Sequence, residues 1–171
     1  MPEFVFQPLD TRHDRAGFAC GIGALDDFLK TKARKENEQG YCRVFVMVDA
    51  EYPTVIAGYY TLSAHHIEIG GIDEKRRKKF PKYPVVPTIL LGRMARSLVF
   101  RGTGAGELIL MDALKRALAS SGNVGAYAVV VDAVNDDAYR FYRIFEFLPV
   151  VGSDDRLYLP METIRKLDLG D

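Results

Sequence analysis

The chain has few cysteines, no excess of charge of either sign and no long apolar run. Its two cysteines, Cys20 and Cys42, lack the spacing of metal ligands, so we expect two reduced, packed thiols and no metal site. A formal net charge of zero removes any global argument for nucleic-acid binding. No stretch approaches the roughly 18 apolar residues that span a bilayer, and no signal-peptide pattern opens the chain. We therefore expect a cytoplasmic protein with no membrane partner.

The chain also lacks the two commonest nucleotide-binding strings. Its glycine-rich segment RGTGAG, residues 101–106, has no Lys-Ser/Thr after it, and its spacing does not match the dinucleotide pattern GxGxxG. The segment precedes a helical pattern, and the first backbone N–H groups of a helix have no partners and suit a pyrophosphate. By itself the string is more typical of an ordinary strand-to-helix turn, in which glycines supply positive φ.

What the sequence does contain is the alternating pattern of an α/β protein. Its 171 residues, 48% of them hydrophobic, are enough for one compact domain with a sizeable core. Apolar periodicity and turn residues predict a mixed sheet flanked by helices. The predicted helices cover Ala24–Glu38, the segment from the glycine turn to Ser121, and Asp136–Phe145. The predicted strands cover Cys42–Val48, Val55–His65, Thr88–Phe100, Ala126–Ala133, Leu148–Val151 and Arg156–Leu159. A long basic loop, with room for one helical turn, covers Asp73–Pro87.

Two long segments around the glycine turn resemble the GNAT N-acetyltransferases. LGRMARSLVFRGTGAGELILMDALKRAL is similar to the cofactor strand, turn and helix of that family, and VDAVNDDAYRFYRIFEF to its next strand and the helix that bears a catalytic tyrosine. FACGIGALDDFLKTKA and VIAGYYTLSAHHIEI resemble one branch, the acetyltransferase toxins of bacterial toxin–antitoxin pairs. The resemblance implies a single GNAT domain over residues 1–171, an α/β fold with a mixed, mostly antiparallel central sheet flanked by helices, and acetyl-CoA as the cofactor. One departure is Glu146, where the family commonly has glycine.

The resemblance also assigns roles to particular residues. Tyr142 is implied as the acid that protonates the departing thiolate, although its place in an apolar helical stripe is, from periodicity alone, more typical of a core aromatic residue. Asn135 is implied as a contact to CoA, but it equally suits a cap of the following helix. Backbone groups before the turn are implied to face the pantetheine and the acetyl carbonyl. The acetyl-CoA contacts implied in this way are Arg93, Met94, Ala95, Arg101, Gly102, Thr103, Gly104, Ala105, Gly106, Asn135 and Tyr142.

The adjacent histidines His65 and His66 invite assignment as a general base. Neighbouring strand residues point to opposite faces, so we expect one packed and one solvated imidazole instead. The α-amine of an aminoacyl ester is less basic than a lysine amine, so an appreciable fraction of it is neutral without help from the enzyme.

Basic residues cluster in two places despite the zero net charge. Such runs are ordinarily a solvated loop and helix face. The toxin resemblance favours a surface that tracks RNA phosphates. The tRNA contacts expected in that case are Lys30, Arg34, Arg76, Arg77, Lys78 and Lys79.

We therefore expect an acetyl-CoA-dependent N-acetyltransferase toxin that caps the α-amino group of aminoacyl-tRNA and blocks translation. The resemblance also implies a homodimer, a small ribbon-helix-helix antitoxin, and operator DNA bound only through the antitoxin complex. Two alternatives remain open. An acetyltransferase acting on a small-molecule amine or a protein N-terminus predicts no growth arrest on expression. A non-catalytic acyl-CoA-binding module predicts cofactor binding without turnover.

Overall fold

A computed structural model of the chain describes residues 2–167, in which apolar strands alternate with amphipathic helices. The strands are β1 (Phe4–Pro8), β2 (Arg43–Asp49), β3 (Tyr52–Glu68), β4 (Val85–Arg96), β5 (Ala128–Asp132), β6 (Leu148–Pro149) and β7 (Arg156–Pro160). The helices are α1 (Gly23–Thr31), α2 (Ala33–Gln39), α3 (Glu74–Arg77), α4 (Ala105–Ser120), α5 (Asp136–Ile144) and α6 (Met161–Arg165). No helix within the described part of the chain has the length and apolar character needed to cross a bilayer.

The strands form one sheet in the order β1-β2-β3-β4-β5-β7-β6. Strands β4 and β5 are parallel, with residues 88–91 opposite residues 128–131. The pairs β1–β2, β2–β3, β5–β7 and β6–β7 are antiparallel. This confirms the predicted mixed, mostly antiparallel sheet and the hairpin of β2 and β3. A parallel pair needs a crossover connection, and α4 lies in the connection from β4 to β5.

The chain divides into two compact units, and β3, β4 and α4 contribute residues to both. The first unit comprises the described residues up to Ser63 and Arg93–Ala113. Its core contains the apolar face of α1, where Phe28 lies 6.3 Å from the ring of Tyr59 on β3. The Tyr59 hydroxyl donates to the Leu25 carbonyl at 2.6 Å, which satisfies a polar atom inside this core.

The predicted helix over Ala24–Glu38 is interrupted, and this part of the prediction is wrong. Lys32 separates α1 from α2 with φ −125° and ψ −31°, outside the helical region. Arg15 donates from its guanidinium to the carbonyls of Leu29 and Lys30, at 3.3 and 3.1 Å. In a continuous helix the N–H groups of residues 33 and 34 would use those carbonyls. A side chain from outside the helix therefore accompanies the break, and the local sequence does not reveal it.

The second unit comprises Ala64–Gly92 and the described residues from Leu114 onward. Residues 128–131 of β5 are fully buried, as expected for a strand covered on both faces. The predicted long loop holds the one-turn helix α3, capped by Asp73, which accepts from Arg76 N–H and from the Tyr158 hydroxyl. Strand β4 then begins at Val85, earlier than predicted. Pro87 can lie inside it because it needs to supply only a carbonyl, to which Tyr127 donates at 2.8 Å.

Two short elements were not predicted, namely β1 and α6. Strand β1 is only five residues long, and it pairs antiparallel with β2 from Phe4 opposite Asp49 to Pro8 opposite Phe45. Helix α6 is also five residues long. Segments of this length hold too few periods for an apolar pattern to stand out.

Candidate active site

The glycine turn leads from a short 3-10 turn, Leu98–Phe100, into α4. Thr103 fixes the turn, because its backbone N–H and its hydroxyl both donate to the Phe100 carbonyl, at 3.3 and 2.6 Å. Gly102 and Gly104 have φ values of 75° and 81°, a left-handed conformation that residues with a side chain rarely adopt. These two glycines allow the chain to reverse into the helix.

The start of α4 offers backbone donors and open space. Leu108 makes the first helical hydrogen bond, 3.2 Å to the Gly104 carbonyl, so the N–H groups of residues 105–107 have no partner within the helix. Apart from its chain neighbours and the backbone of its own helix, a Cβ added at Gly106 would meet no described atom within 4 Å, and its φ is not left-handed. The positive end of the helix dipole adds to these donors. The arrangement fits a pyrophosphate group.

Arg93, Met94 and Ala95 lie in β4, shortly before the turn. Ala95 is buried, whereas Arg93 and Met94 are half-buried. The guanidinium carbon of Arg93 lies 3.7 Å from the centre of the Phe28 ring, a cation–π contact with α1. This contact holds the Arg93 side chain. The predicted cofactor contact at these three residues involves the strand backbone and not their side chains.

Tyr142 lies on α5 and is only 6% exposed. Its ring centre lies 5.6 Å from that of Phe141 and 5.3 Å from that of Phe147, so it belongs to an aromatic cluster. Burial, and to a lesser extent the negative charge of Asp132, raise the pKa of its phenol. Among the described residues its hydroxyl has no hydrogen-bond partner. The ring therefore packs as the helical stripe predicts, while the hydroxyl remains available as a proton donor.

The two ends of α5 are fixed by Asn135 and Glu146. Asn135 caps the start, because its side-chain oxygen accepts from the Ala138 N–H at 2.8 Å. This assigns it the cap role, and a contact to CoA stays a prediction. At the other end Glu146 has φ 69°, the only left-handed φ of a non-glycine residue among those described. Phe147 N–H donates to the Tyr142 carbonyl at 3.2 Å, and Glu146 N–H to the Arg143 carbonyl at 3.1 Å. These bonds form a Schellman motif, with Glu146 where glycine is usual.

An ion pair that the sequence did not predict involves Asp132, whose charge also acts on Tyr142. Arg156 on β7 donates twice to the Asp132 carboxylate on β5, at 2.7 and 3.0 Å. Both residues line a polar cavity of about 730 Å³, together with the adjacent His65 and His66. The only sequence signal was the position of Asp132 at the carboxyl end of an apolar strand.

The prediction that the two histidines point to opposite faces is wrong, because their rings stack with centres 6.1 Å apart and both line this cavity. His65 is half-buried and its Nδ1 lies 3.3 Å from the Thr88 hydroxyl, while His66 is exposed. Burial, followed by the nearby charge of Arg156, lowers the pKa of His65. At neutral pH His65 is therefore uncharged.

The predicted basic contacts lie in two different settings. In the first unit, Lys30 and Arg34 line a polar cavity of about 510 Å³ that also contains Arg15, and Arg34 pairs with Glu38 at 3.1 Å. In the second unit, the basic run has its own partners, since Arg76 pairs with Asp73 at 3.1 Å and Lys78 with Glu74 at 3.7 Å. Arg77 and Lys79 are exposed and have no acidic partner in the part of the chain that the structure describes.

The predicted site residues thus fall into two groups. Arg93 to Ala95 and the glycine turn lie together in the first unit, while Asn135 and Tyr142 lie together in the second. The first group includes the open backbone N–H groups at the start of α4, and the second includes the buried phenol.

The chain is similar to known proteins over nearly its whole length. No family model matches the chain. A protein of Sinorhizobium fredii named probable toxin TacT is 31% identical over 171 residues, covering 95% of this chain and 94% of its own length. A tRNA-acetylating toxin of Mycobacterium tuberculosis is 31% identical over 159 residues and covers 92% of each chain.

Solved structures show the same similarity. The crystal structure of a tyrosine-to-phenylalanine mutant of KacT has a TM-score of 0.90 and 28% identity, covering 95% of this chain and 98% of its own. The complex of AtaT with acetyl-methionyl-tRNA has a TM-score of 0.89 at the same identity and coverage. AtaTR bound with acetyl-CoA has a TM-score of 0.82 and 28% identity, covering 95% and 96%.

Proposed function

This chain belongs to the GNAT-type acetyltransferase toxins of toxin–antitoxin systems, and from that premise we propose that it acetylates the α-amino group of an aminoacyl-tRNA with acetyl-CoA and so blocks translation. The alignment of 92% of the chain with a tRNA-acetylating toxin carries the proposal. The open start of α4 supports it, because it offers backbone donors where a pyrophosphate needs them.

The cofactor is held mainly by backbone groups. The N–H groups of residues 105–107 would hold the pyrophosphate, and the turn from Arg101 to Gly104 would let it approach them. The backbone of Arg93, Met94 and Ala95 orients the pantetheine and the acetyl carbonyl. Acetyl-CoA supplies an activated acetyl thioester when bound. A backbone N–H directed at the carbonyl oxygen as it gains charge contributes a few kcal/mol to lowering the barrier.

Tyr142 is the residue we propose as the acid. Its raised pKa keeps the phenol protonated at neutral pH, so a proton is present on Oη when the thiolate departs. The aromatic contacts with Phe141 and Phe147 fix the direction of the hydroxyl. Burial raises the pKa of a thiol as well as that of a phenol. If both groups are buried, the difference between the pKa of the Tyr142 phenol and that of the CoA thiol changes less than either pKa alone.

The substrate amine needs little help to lose its proton. Its amino group lies next to an ester, which lowers its basicity below that of a lysine amine. His65 is uncharged at neutral pH but already interacts with Thr88, so we assign it no role as a base. The exposed cations Lys30, Arg77 and Lys79 are the proposed contacts to tRNA phosphates, while Arg34, Arg76 and Lys78 also hold acidic neighbours.

We further propose that residues 1–171 act as one acetyltransferase domain in a cytoplasmic homodimer controlled by a ribbon-helix-helix antitoxin. Support comes from relatives, since AtaT has been solved with the C-terminus of its antitoxin AtaR. The KacTA complex and the AtaT–AtaR complex have each been solved with DNA. By analogy, the complex of this chain with its antitoxin binds operator DNA, and the toxin alone does not.

The decisive experiment incubates the purified protein with total charged tRNA and labelled acetyl-CoA. We expect label on one or a few aminoacyl-tRNAs, identified by mass spectrometry. Tyr142→Phe should retain acetyl-CoA binding but slow the transfer on the order of 10²-fold, because the departing thiolate loses its proton donor. Tyr139→Phe is the matched control, since it removes a phenol from the same helix and should leave the rate unchanged.

Three other results would contradict parts of the proposed function. Full activity of Tyr142→Phe would remove this residue from the mechanism. If label appeared on small amines or peptides and none on tRNA, the substrate would be a small-molecule amine or a protein N-terminus and not an aminoacyl-tRNA. Acetyl-CoA binding without any turnover would leave a non-catalytic acyl-CoA-binding module.

A further inference from the structure

The segment that follows α3 forms an open apolar cavity of about 290 Å³ in the second unit. Aromatic and aliphatic side chains line it, including Phe80, Tyr83, Val85 and Tyr127. Tyr83 is 69% exposed and Val85 37% exposed, so water covers most of one aromatic ring beside the cavity. Exposed apolar surface of this kind is stabilised when a ligand covers it.

Exposed cations lie next in sequence to the residues that line this cavity. Six lysines and arginines occupy the eight positions from Lys75 to Lys82, immediately before Tyr83. Arg76 is half-buried and pairs with Asp73, whereas Lys79 and Lys82 next to the aromatic residues are exposed. The surface therefore combines exposed positive charge with an exposed aromatic ring.

The cavity wall is fixed before any ligand arrives. The rings of Phe80 and Tyr127 meet edge to face, with centres 4.6 Å apart. The backbone of Tyr127 donates to Pro87 and accepts from Met161, both at 2.8 Å, and Tyr83 N–H donates to the Pro81 carbonyl at 2.9 Å. A preorganised surface of this kind loses little conformational entropy when it binds.

We propose that this surface stacks the unpaired nucleotides at the 3′ end of the substrate tRNA, with the Tyr83 ring against a base and Lys79 and Lys82 near the phosphates. Proteins bind single-stranded nucleic acid through positive charge combined with aromatic rings on which bases stack. The amino acid of a charged tRNA is carried on such a single-stranded end, whose bases have free faces. An acidic peptide would also match the charge, but the exposed Tyr83 ring favours a ligand with flat faces.

This inference rests on the proposed function and specifies which part of the substrate is recognised. The test measures binding of uncharged tRNA, with a 5′ fluorophore, to the full chain by fluorescence anisotropy. Intact tRNA is compared with tRNA that lacks the four unpaired 3′ nucleotides. We expect the wild-type protein to lose about tenfold in affinity when the 3′ end is removed.

The variants then locate the contact. Tyr83→Ala should bind intact tRNA about tenfold more weakly and the truncated tRNA as the wild type does. Tyr83→Phe keeps the ring and should behave as the wild type with both RNAs. Tyr52→Ala removes another exposed tyrosine, 58% exposed in the first unit, and should change neither affinity.

Two results would overturn the inference. Equal weakening of intact and truncated tRNA by Tyr83→Ala would show that the ring does not read the 3′ end. Unchanged binding of both RNAs, with loss of polyglutamate binding instead, would assign the surface to an acidic protein partner. Because uncharged tRNA is used, neither result depends on acetyl transfer, so a failure of the proposed reaction would be seen separately.

Discussion

At the scale of single residues, Glu146 ends helix α5 through its backbone conformation and not through its side chain. The Schellman motif that ends α5 needs a left-handed residue at this position, and Glu146 adopts φ 69° there. A residue with a Cβ is disfavoured in this region by about 1 kcal/mol or more relative to glycine. The motif keeps Phe147 against Tyr142, which explains why this conformation is maintained.

Glu146→Gly should therefore stabilise the fold. We expect the free energy of unfolding to rise by about 0.5–1 kcal/mol, since relief of the left-handed conformation exceeds the added entropy of the unfolded chain. Denaturant titration measures this change. Glu162→Gly is the control, because it places glycine in the ordinary helical conformation of α6 and should lower stability by up to about 1 kcal/mol. A loss of stability in Glu146→Gly would contradict the interpretation.

At the scale of elements, two glycines at the junction of the glycine turn and α4 differ in backbone conformation. Gly104 has φ 81°, so any side chain there strains the backbone before a cofactor is considered. Gly106 lies inside the helix with open space at its Cβ position. Only Gly106 therefore reports on the approach of a ligand without disturbing the fold.

Gly106→Ala should weaken acetyl-CoA binding on the order of tenfold, about 1.4 kcal/mol, because a methyl group would obstruct the approach of the pyrophosphate to the backbone N–H groups. The same change should leave the thermal midpoint unchanged or slightly raised, since alanine is the better helix former. Calorimetry and thermal unfolding measure the two effects. Gly125→Ala, also with open space at its Cβ position, is the control and should change neither. Unchanged affinity in Gly106→Ala would reject the turn as the pyrophosphate site.

At the scale of the whole molecule, charge is balanced overall and uneven locally. The formal net charge is zero, so no long-range field draws RNA to the protein. Any attraction must come from local cations such as Arg77 and Lys79, which lack acidic partners within the described residues. Binding of tRNA should accordingly depend on salt through a small number of phosphate contacts.

Replacing both Arg77 and Lys79 with glutamine should reduce the slope of log affinity against log salt by about 1.4–1.8. Each phosphate contact contributes about 0.7 for single strands and 0.9 for duplexes. Titrations at several salt concentrations measure this slope. Lys166→Gln, which removes a lysine paired with Glu162, should leave it unchanged. An unaltered slope in the double variant would exclude these two residues as phosphate contacts.

Much of the architecture could be predicted because it depends on local patterns. The apolar run of β5, the hairpin of β2 and β3 and the helix after the glycine turn all have a period or a turn signal within a few residues. The family was also predicted from local strings, and relatives that cover more than nine tenths of the chain confirm it. Short elements such as β1 were missed because five residues hold too few periods for an apolar pattern to be recognised.

The sequence by itself determined most of the longer elements, since their patterns depend on residues close together in the chain. Through its resemblance to a known family it also gave the candidate cofactor turn and the candidate acid Tyr142. Only the tertiary structure decided the break between α1 and α2, which involves Arg15 some fifteen positions away, and the pairing of Asp132 with Arg156. It also decided the left-handed conformation of Glu146 and the exposure of Tyr83 beside its cavity. These features arise from contacts between distant segments, and such contacts leave no periodic trace in a single sequence.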